Sequence, residues 1–368
     1  MQIADFALER YFAKWEFAVR HVLCASDVEP YALSELLALA DDDARRRWDS
    51  LTLGYTESLG LPALRGKIAG LYEGIDADDV ITFAGAEEGV FLGMHALVGP
   101  GDHAIVVWPA YQSLHEVARS IGAGVTFVPL HPRDWSLDVD AIAAAMRPNT
   151  RVIVINSPHS PTGAQLGTEQ LSRLVSIAEQ HGAHLFSDEV YRFLEHDAPA
   201  LPAAADRSEL ALSLGVMSKA FGLAGIRIGW IATRDKRLRE RLAHLRDYTT
   251  ICNSAPSEIL ALIALRAKEA VLDRTHSILH ANLELLDGFF ARNSDRFEWV
   301  RPRAGSACFP SLRVGEIDGF AAALVEREGV LLLPGSQFGY AGNHFRLGFG
   351  RRDMRHGLDR LETFARAQ

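Results

Sequence analysis

Cysteine is scarce in this chain of 368 residues, which carries only Cys24, Cys252 and Cys308. An odd number of widely spaced cysteines does not form a disulfide framework, and it suits a reducing cytoplasm. No apolar run approaches the roughly 20 residues that a membrane-spanning helix requires. Charged and apolar side chains alternate at helical spacing over residues 1–17, which predicts an amphipathic helix and not a signal peptide. We therefore expect a cytoplasmic protein without membrane segments.

Basic residues are too few for a nucleic-acid surface. The chain has 38 lysines and arginines against 47 aspartates and glutamates, a formal net charge of −9 at pH 7. Nucleic-acid-binding domains usually carry a basic patch, so the charge balance argues against such a partner.

Patterns of metal ligands are also sparse. His276 and His280 are four residues apart on a predicted helix, and His181 and His184 flank the start of a predicted strand. Neither pair has a third ligand at zinc spacing, and the motif His-Glu-x-x-His does not occur. No metal site is predicted.

Apolar strands alternate with amphipathic helices from about residue 60 to about residue 235. Strands are expected over residues 80–84, 104–108, 125–130, 152–155, 185–186, 211–217 and 228–233. Helices are expected over residues 61–72, 87–97, 111–121, 138–146 and 168–180. This βαβ order predicts an α/β fold with a mainly parallel sheet and helices on both faces.

The pattern changes after Pro256. A long helical stretch to about residue 294 precedes further strands, which are expected over residues 297–301, 307–314 and 345–349. Helices lie between and after these strands, so this part of the chain is typical of an α+β unit.

The most informative segment is residues 218–230, where Ser218 and Lys219 follow an apolar strand and Arg227 comes shortly after. A lysine between apolar segments loses solvation, which favours the neutral amine that forms a Schiff base with an aldehyde. An arginine fork suits a phosphate. An aldehyde and a phosphate on one molecule describe pyridoxal 5′-phosphate (PLP). For a Ser-Lys pair taken alone, the alternative is a solvated surface lysine.

Two further segments place polar side chains at strand ends. Asn156 opens the loop Asn-Ser-Pro-His-Ser-Pro-Thr-Gly at the carboxyl end of a buried strand, the edge at which ligands bind in open α/β sheets. Asp188 ends the next strand, with Tyr191 three residues later. A carboxylate beside a pyridine nitrogen keeps that nitrogen protonated, and the protonated ring is an electron sink. The alternatives are a turn capped by the asparagine and a helix capped by the aspartate.

Arg346 lies inside an apolar alternating strand, where an unpaired charge is costly. A substrate carboxylate would pair with it through two hydrogen bonds. The alternative is a structural salt bridge with a neighbouring acid.

In this order the segments resemble the class I/II aminotransferases, which are PLP-dependent enzymes of fold type I. The family pattern runs Asn-x-Pro-x-x-Pro-Thr-Gly, Asp-x-x-Tyr, Ser-Lys-x-x-Gly-x-x-Gly-x-Arg-x-Gly and a late arginine, and the match spans roughly residues 50–350. The resemblance implies a large PLP-binding domain with a mainly parallel sheet flanked by helices, residues 46–265. A smaller, discontinuous α+β domain would comprise residues 1–45 and 266–368.

The resemblance also implies roles for the matching residues. Lys219 would hold PLP as a Schiff base and move the substrate proton. Asp188 would pair with the ring nitrogen, and Asn156 and Tyr191 would bind the ring oxygen. Arg346 would bind the α-carboxylate of an amino acid, with Asn156 also near the substrate.

Other matching residues would hold the cofactor phosphate and ring. The phosphate ligands would be Gly85, Ala86 and Glu87 at a helix start, Ser218 and Arg227. Tyr111 would stack on the ring. Tyr55 resembles a tyrosine that reaches the phosphate of a neighbouring subunit, which implies a homodimer.

The implied activity is transfer of an amino group between an amino acid and a 2-oxo acid. Two departures from the family pattern are evident: Val216 replaces a second serine, and residues 26–31 replace a glycine-proline substrate loop. The second departure resembles capreomycidine-synthase-like relatives, so a PLP lyase or cyclase is the alternative. A PLP-binding transcription regulator is disfavoured, since only about 50 residues, which are not basic, precede the first motif.

Overall fold

The structure is a computed structural model that describes residues 2–197 and 199–368. The strands are β1 His21–Val22, β2 Val80–Phe83, β3 His103–Trp108, β4 Gly124–Pro129, β5 Thr150–Asn156, β6 His184–Asp188, β7 Ala211–Val216, β8 Gly229–Ala232, β9 Phe297–Glu298, β10 Ala307–Cys308, β11 Ser311–Leu312, β12 Val330–Leu331, β13 Leu333–Pro334 and β14 Phe345–Gly348.

The α-helices are α1 Ala7–Trp15, α2 Leu33–Leu37, α3 Asp42–Asp49, α4 Pro62–Ala69, α5 Ala86–Leu97, α6 Ser113–Ile121, α7 Val139–Ala145, α8 Thr168–His181, α9 Ala204–Arg207, α10 Lys236–Arg246, α11 Ala255–Arg266, α12 Lys268–Arg292, α13 Ile317–Glu328 and α14 Met354–Ala367. Across the described residues, no helix has both the length and the apolar character needed to cross a bilayer.

A seven-stranded sheet forms the centre of the molecule, with strand order β2-β8-β7-β6-β5-β3-β4. The pairs from β4 to β7 are parallel, and β8 runs antiparallel to both of its neighbours. The predicted mainly parallel sheet is confirmed.

Helices cover both faces of this sheet, and successive side chains of each strand point alternately to these two faces. On β5, Val152 and Val154 join the core cluster that includes α5, α6 and α10. Ile153 and Ile155 join the cluster that includes α7 and α8. An uninterrupted apolar run is therefore what a strand buried on both faces requires.

Several element boundaries differ from the expectations. Helix α1 begins at Ala7 and not at the start of the chain, since Phe6 is extended and the Ala7 N–H donates to Gln112 Oε1 (2.9 Å). The strand expected over residues 307–314 is divided into β10 and β11 around Pro310, which has no N–H to donate. The long helical stretch is divided into α11 and α12 at Ala267.

The amino-terminal segment is anchored on the carboxyl-terminal third of the chain. Strand β1 pairs in parallel with β12. Beyond β1, Leu23 N donates to Leu331 O (3.0 Å), and Gly348 N donates to Leu23 O (2.7 Å). Asp27 forms a salt bridge with Arg351 (2.9 Å). Residues 21–27 are therefore held along a path that passes Arg346 in β14.

Candidate active site

The carboxyl edge of the central sheet brings the predicted polar residues together. Asn156 ends β5 and Asp188 ends β6, and the two are register partners. Lys219 follows β7, the next strand in the sheet. Chemistry-bearing side chains from three neighbouring strands thus meet at the edge where α/β sheets bind ligands.

The Asn156 amide is bound on both sides. Its Nδ2 donates to the carbonyl of Asp188 (2.9 Å), and its Oδ1 accepts from Ser160 N (2.7 Å). The alternative prediction, a turn capped by the Asn156 side chain, is therefore partly correct. An amide nitrogen carries two hydrogens, so one N–H of Asn156 is still available for a ligand.

Lys219 is half-buried and reaches toward the amino-terminal segment. Its Nζ donates to Ser26 Oγ (3.0 Å) and lies 5.4 Å from the centre of the Tyr191 ring. This is not the solvated surface lysine of the alternative interpretation, because the amine is enclosed by groups from distant parts of the chain.

The carboxyl group of Asp188 is buried, and its Oδ1 accepts from Val190 N (3.1 Å). Burial raises the pKa of Asp188 to about 7, although the positive charge of Lys219 acts in the opposite direction. A cationic partner would stabilise the ionised form of this buried carboxyl group, and a protonated ring nitrogen would supply such a partner.

The phenol of Tyr191 is buried within a cationic environment. Burial by itself would raise its pKa, but the charges of Lys219 and Arg346 and the influence of the Ser160 and Ser26 hydroxyl groups outweigh burial, so the pKa of Tyr191 is lowered. The lowered pKa indicates that the site favours negative charge at this oxygen.

Arg346 is buried, with its guanidinium 5.7 Å from the Phe12 ring centre and 5.6 Å from that of Phe338. Its Nε donates to Cys24 O (2.9 Å). In the part of the chain that the structure describes, Arg346 forms no salt bridge, unlike the nearby Arg351, which pairs with Asp27. The structural salt bridge is therefore not found, and a buried cation without an acidic partner suits an incoming carboxylate.

The start of α5 and the Arg227 side chain lie together at the predicted phosphate site, here termed the phosphate cradle. Gly85 precedes the helix with φ +89°, and a Cβ at this position would lie 2.4 Å from Arg227 Nη2. A Cβ on Gly229 would lie 2.6 Å from Ala86 N. These glycines allow the Arg227 side chain and two backbone segments to approach one another at a helix start, where free N–H groups bind phosphate. Ser218 lies half-buried after β7.

Glu87 lies in the first turn of α5, where its Oε2 accepts from Ser113 Oγ (3.0 Å). Burial raises the pKa of Glu87 to about 7. A carboxyl group that is partly neutral near pH 7 repels a nearby phosphate less than a fully ionised one would.

The two remaining tyrosines differ in their surroundings. Tyr111 is clamped by the amino-terminal helix, since its hydroxyl donates to Glu9 Oε1 (2.6 Å). Tyr55 is 92% exposed, so the structure does not bring it into the cluster of its own chain.

Two residues of this cluster were missed by the sequence analysis: Ser26, which contacts Lys219, and Glu9, which binds Tyr111. Ser26 lies in the segment that departs from the family pattern, which was the available signal. No sequence pattern indicated a role for Glu9, because its partner Tyr111 is 102 residues away.

The histidine pairs have other surroundings. His184 Nε2 lies 2.9 Å from Asp235 Oδ2, and the ring centres of His276 and His280 are 5.7 Å apart. Over residues 2–197 and 199–368, no group of three His, Cys, Asp or Glu side chains is arranged to hold a metal ion.

The residues present fit PLP. A helix start with Arg227 beside it matches a phosphate, a buried carboxyl group matches a ring cation, and an enclosed amine matches an aldehyde. Together with the sheet, they define a fold-type-I PLP enzyme.

Comparison with known proteins gives the family. The family model described as "Aminotransferase class I and II" matches residues 36–361. Capreomycidine synthase of Streptomyces vinaceus is 32% identical, over 100% of this chain and 95% of that protein. The chain belongs to this aminotransferase family and is a PLP-dependent enzyme, which confirms the predicted fold, cofactor and enzyme class.

Comparison with solved structures also finds PLP-dependent enzymes. A PLP-dependent aminotransferase from Streptococcus suis superposes with a TM-score of 0.94 at 30% identity, covering 100% of this chain and 99% of that one. The PLP-dependent cyclase OrfR superposes with a TM-score of 0.91 at 30% identity, covering 100% and 98%. The chain is therefore similar over its whole length both to an aminotransferase and to a cyclase.

Proposed function

We propose that this protein catalyses transamination between an amino acid and a 2-oxo acid at the site that contains Lys219 and Arg346. The observation that carries the proposal is the buried guanidinium of Arg346, which forms no salt bridge with the residues that the structure describes. It donates to the carbonyl of Cys24, two residues before the serine that contacts Lys219. One short segment therefore links a carboxylate-binding group with a reactive amine, the two groups that an amino acid substrate requires.

Each site residue has a distinct task in this proposal. PLP supplies an electron-poor ring that stabilises negative charge at the substrate carbon. Lys219 Nζ accepts the proton from that carbon and returns it. Asp188 would keep the cationic ring nitrogen paired, and Tyr191 and the free N–H of Asn156 would bind the ring oxygen. These positions are supported by the register of β5 and β6 and by the contact of Lys219 with the Tyr191 ring.

Phosphate binding falls to Arg227, Ser218 and the backbone N–H groups from Gly85 to Glu87. The lack of a second serine, replaced by Val216, leaves more of the binding to Arg227 and the helix start. Tyr111 would lie against the ring, with Glu9 fixing its orientation.

The test is the visible absorbance of the PLP-loaded enzyme while single amino acids are added without a 2-oxo acid. We expect the band of the lysine-bound cofactor to convert to the pyridoxamine form and to return when a 2-oxo acid is added. Arg360→Lys, at an exposed salt bridge with Glu328, is a control that should behave as wild type. A stable band with every amino acid and no product would contradict the proposed function.

A second candidate is elimination and cyclisation of an amino acid at the same residues. Capreomycidine synthase covers the whole chain, and the cyclase OrfR superposes over its whole length. The same absorbance experiment separates the candidates. A persistent cofactor band with release of a leaving group or a cyclic product, and no consumption of a 2-oxo acid, would favour cyclisation.

We also propose that the active unit is a homodimer in which Tyr55 reaches the partner's phosphate. Support comes from an exposed apolar patch, defined as Leu53, Tyr55, Tyr248 and Ile251, with exposures between 51% and 92%. A hydrogen bond from Thr56 Oγ1 to Asn253 O (3.0 Å) joins its two segments. Thr250 Oγ1 donates to Glu88 in the first turn of α5 (2.8 Å), so the patch lies beside the phosphate cradle.

The dimer proposal has a sharp test in mixed variants. Lys219→Ala and Tyr55→Ala homodimers should both have low activity. A hybrid dimer contains one site with an intact Lys219 and an intact partner tyrosine, so mixing under exchange conditions should restore activity. Mixing two Lys219→Ala samples is the control. Full activity of a monomer, measured by sedimentation at assay concentration, would contradict the proposal.

The predicted domain division remains a proposal: residues 46–265 as a large domain, with residues 1–45 and 266–368 as a small one. The pairing of β1 with β12 supports the inclusion of the amino terminus in the small domain. We propose a cytoplasmic location, which three free cysteines, two of them buried, support.

A further inference from the structure

Arg246, the last residue of α10, carries a guanidinium that is buried away from the proposed substrate site. Its Nη2 donates to Asn253 Oδ1 (2.9 Å), and Asn253 Nδ2 donates to Oε1 of the buried Glu258 (3.1 Å). The asparagine therefore joins a buried cation to a buried carboxyl group. These three side chains are termed the buried network. Buried ionic groups are weak evidence for stability, but their hydrogen bonds impose a specific geometry on the chain.

The buried network anchors the segment that directly follows Tyr55. Three hydrogen bonds hold this segment, from Thr56 Oγ1 to Asn253 O (3.0 Å), from Leu61 N to Glu258 Oε1 (3.0 Å) and from Arg246 Nη1 to Ser58 O. Each residue of the network thus binds one point between residues 56 and 61. The backbone that leads to Tyr55 is fixed by groups almost 200 residues further along the chain.

The same arginine shapes the other half of the exposed apolar patch. Its carbonyl accepts from Thr249 N (3.0 Å) and from Ile251 N (3.2 Å), which closes the turn that carries Tyr248 and Ile251. Ile251 has φ +66°, a conformation that is costly for a β-branched residue and persists only where surrounding contacts enforce it. Arg246 therefore holds both segments of the patch in a fixed relation to each other.

We propose that Arg246 is a positioning residue that holds Tyr55 in place for the PLP phosphate of the partner subunit, an inference that rests on the proposed homodimer. The Tyr55 side chain is almost fully exposed, so packing within its own chain does not orient it. Its direction is set by the backbone, which the buried network holds from Thr56 onward. A tyrosine on a fixed backbone loses less conformational entropy on binding a ligand than one on a loose loop.

The first test is the PLP affinity of the dimer, measured from the absorbance band of lysine-bound PLP. Arg246→Lys keeps the buried charge but lacks the planar fork that reaches two acceptors. We expect PLP affinity to fall about tenfold, as for the loss of one hydrogen bond to a charged group. Tyr55→Phe should lower the affinity by a similar factor, and the double variant by no more than the stronger single variant. Arg239→Lys, in the same helix and paired with Asp79, is the matched control and should bind PLP as wild type does.

Hybrid dimers show which subunit needs the arginine. Two different affinity tags allow a hybrid of Arg246→Lys with Lys219→Ala to be isolated, and the band of lysine-bound PLP then reports only the site that keeps Lys219. This site receives Tyr55 from the subunit with an intact Arg246, so its PLP affinity should equal that of wild type. In the reverse hybrid, a wild-type subunit is paired with one that carries both substitutions, and the reporting site should bind PLP about tenfold more weakly. A defect that stays with the Arg246→Lys subunit would overturn the positioning role.

Hydrogen exchange of the ligand-free protein reports the anchored segment directly. We expect the amides of residues 56–61 to exchange about tenfold faster in Arg246→Lys and at the wild-type rate in Tyr55→Phe. Unchanged exchange in Arg246→Lys would overturn the inference. If Arg246→Lys does not fold, two variants of Thr56 decide. Thr56→Val loses the hydrogen bond to Asn253 O and should lower PLP affinity, whereas Thr56→Ser keeps the hydroxyl group and should not. Equal affinities of these two variants would contradict the positioning role.

The Tyr55→Phe dimer separates this inference from the proposed function. Wild-type PLP affinity in Tyr55→Phe would overturn the proposed contact of Tyr55 with the partner's phosphate, and the role of Arg246 with it. A lowered affinity in Tyr55→Phe together with wild-type affinity in Arg246→Lys would overturn the role of Arg246 alone.

Discussion

Asn156 and Asp188 are register partners on β5 and β6, and the Asn156 side chain donates to the Asp188 carbonyl (2.9 Å). One functional side chain thus fixes the backbone that carries another. Because this bond runs across two strands buried on both faces, the geometry of the pair depends on the sheet and not on a loop. Replacement of Asn156 should consequently disturb Asp188 as well as any ligand contact.

Loss of the Lys219 amine should abolish turnover. Lys219→Ala leaves no group at this position to bind an aldehyde covalently or to move a proton, so we expect kcat to fall by at least about 10³-fold. Mass spectrometry after borohydride reduction should find no attached cofactor. Lys236→Ala, at an exposed position in α10, should keep both activity and attachment. Substantial activity in Lys219→Ala would contradict the mechanism.

Asp188 should make the stability of the ligand-free protein depend on pH. Burial raises its folded-state pKa to about 7, above the unfolded value near 4, so the folded state binds more protons between these values. The free energy of unfolding should therefore fall as pH rises from about 4 to about 7.

Asp188→Asn should remove this contribution, because the amide does not ionise. Urea unfolding at pH 5 and pH 7 should show wild type losing about 2 kcal/mol more than the variant. Asp138→Asn, at the exposed cap of α7, should follow wild type. Equal losses in wild type and Asp188→Asn would show that Asp188 does not titrate in this range.

Arg346 should determine the binding of the substrate carboxylate. Arg346→Lys keeps the charge but loses the planar fork that makes two parallel hydrogen bonds. We expect kcat/KM for amino acids to fall by about 10²-fold, mostly through KM. The PLP absorbance should be unchanged, since the substitution does not touch the phosphate cradle. A wild-type KM would refute the role of this guanidinium.

Gly85 offers a test of the phosphate cradle with a matched control. Gly85→Ala introduces both a strained φ of +89° and a Cβ 2.4 Å from Arg227 Nη2, so PLP affinity should fall about tenfold or more. Gly101 has φ +81° but no heavy atom within 4 Å of a Cβ. Gly101→Ala should lose a similar amount of stability, about 1 kcal/mol or more, with unchanged PLP affinity. Equal PLP affinities of the two variants would argue against the Arg227 contact.

The central sheet and the residues at its carboxyl edge were predictable for one physical reason. Asn156, Asp188 and Lys219 each follow an apolar run, and the ends of parallel strands meet at one edge. The order of the strands along the sheet and the reversed direction of β8 were not predictable, because they depend on pairings between distant segments. The strands expected over residues 297–301 and 307–314 were too long for a related reason: strand ends are set by neighbours such as Pro310. The two-residue strands β12 and β13 were not predicted at all.

Contacts across long stretches of sequence account for what was missed at the site. Ser26 and Lys219 are separated by 193 residues, and neither has a local pattern that indicates the other. Likewise, the sequence could not show that Arg346 forms no salt bridge with the described residues, since any of the 47 aspartates and glutamates could have been its partner in the fold. Conversely, a motif match predicted that Tyr55 reaches the phosphate of a neighbouring subunit. Tyr55 is exposed in the single chain, so this role remains a prediction.

The anchoring of residues 21–27 on β12 and β14 has a consequence for protein synthesis. A ribosome makes the central sheet and Lys219 long before it makes Arg346 and the strands that hold Ser26 in place. The growing polypeptide therefore carries Lys219 without Arg346, the proposed carboxylate-binding residue, for about the last third of translation. Under the proposed function, catalytic competence would arise only when the newest part of the polypeptide folds back onto the oldest.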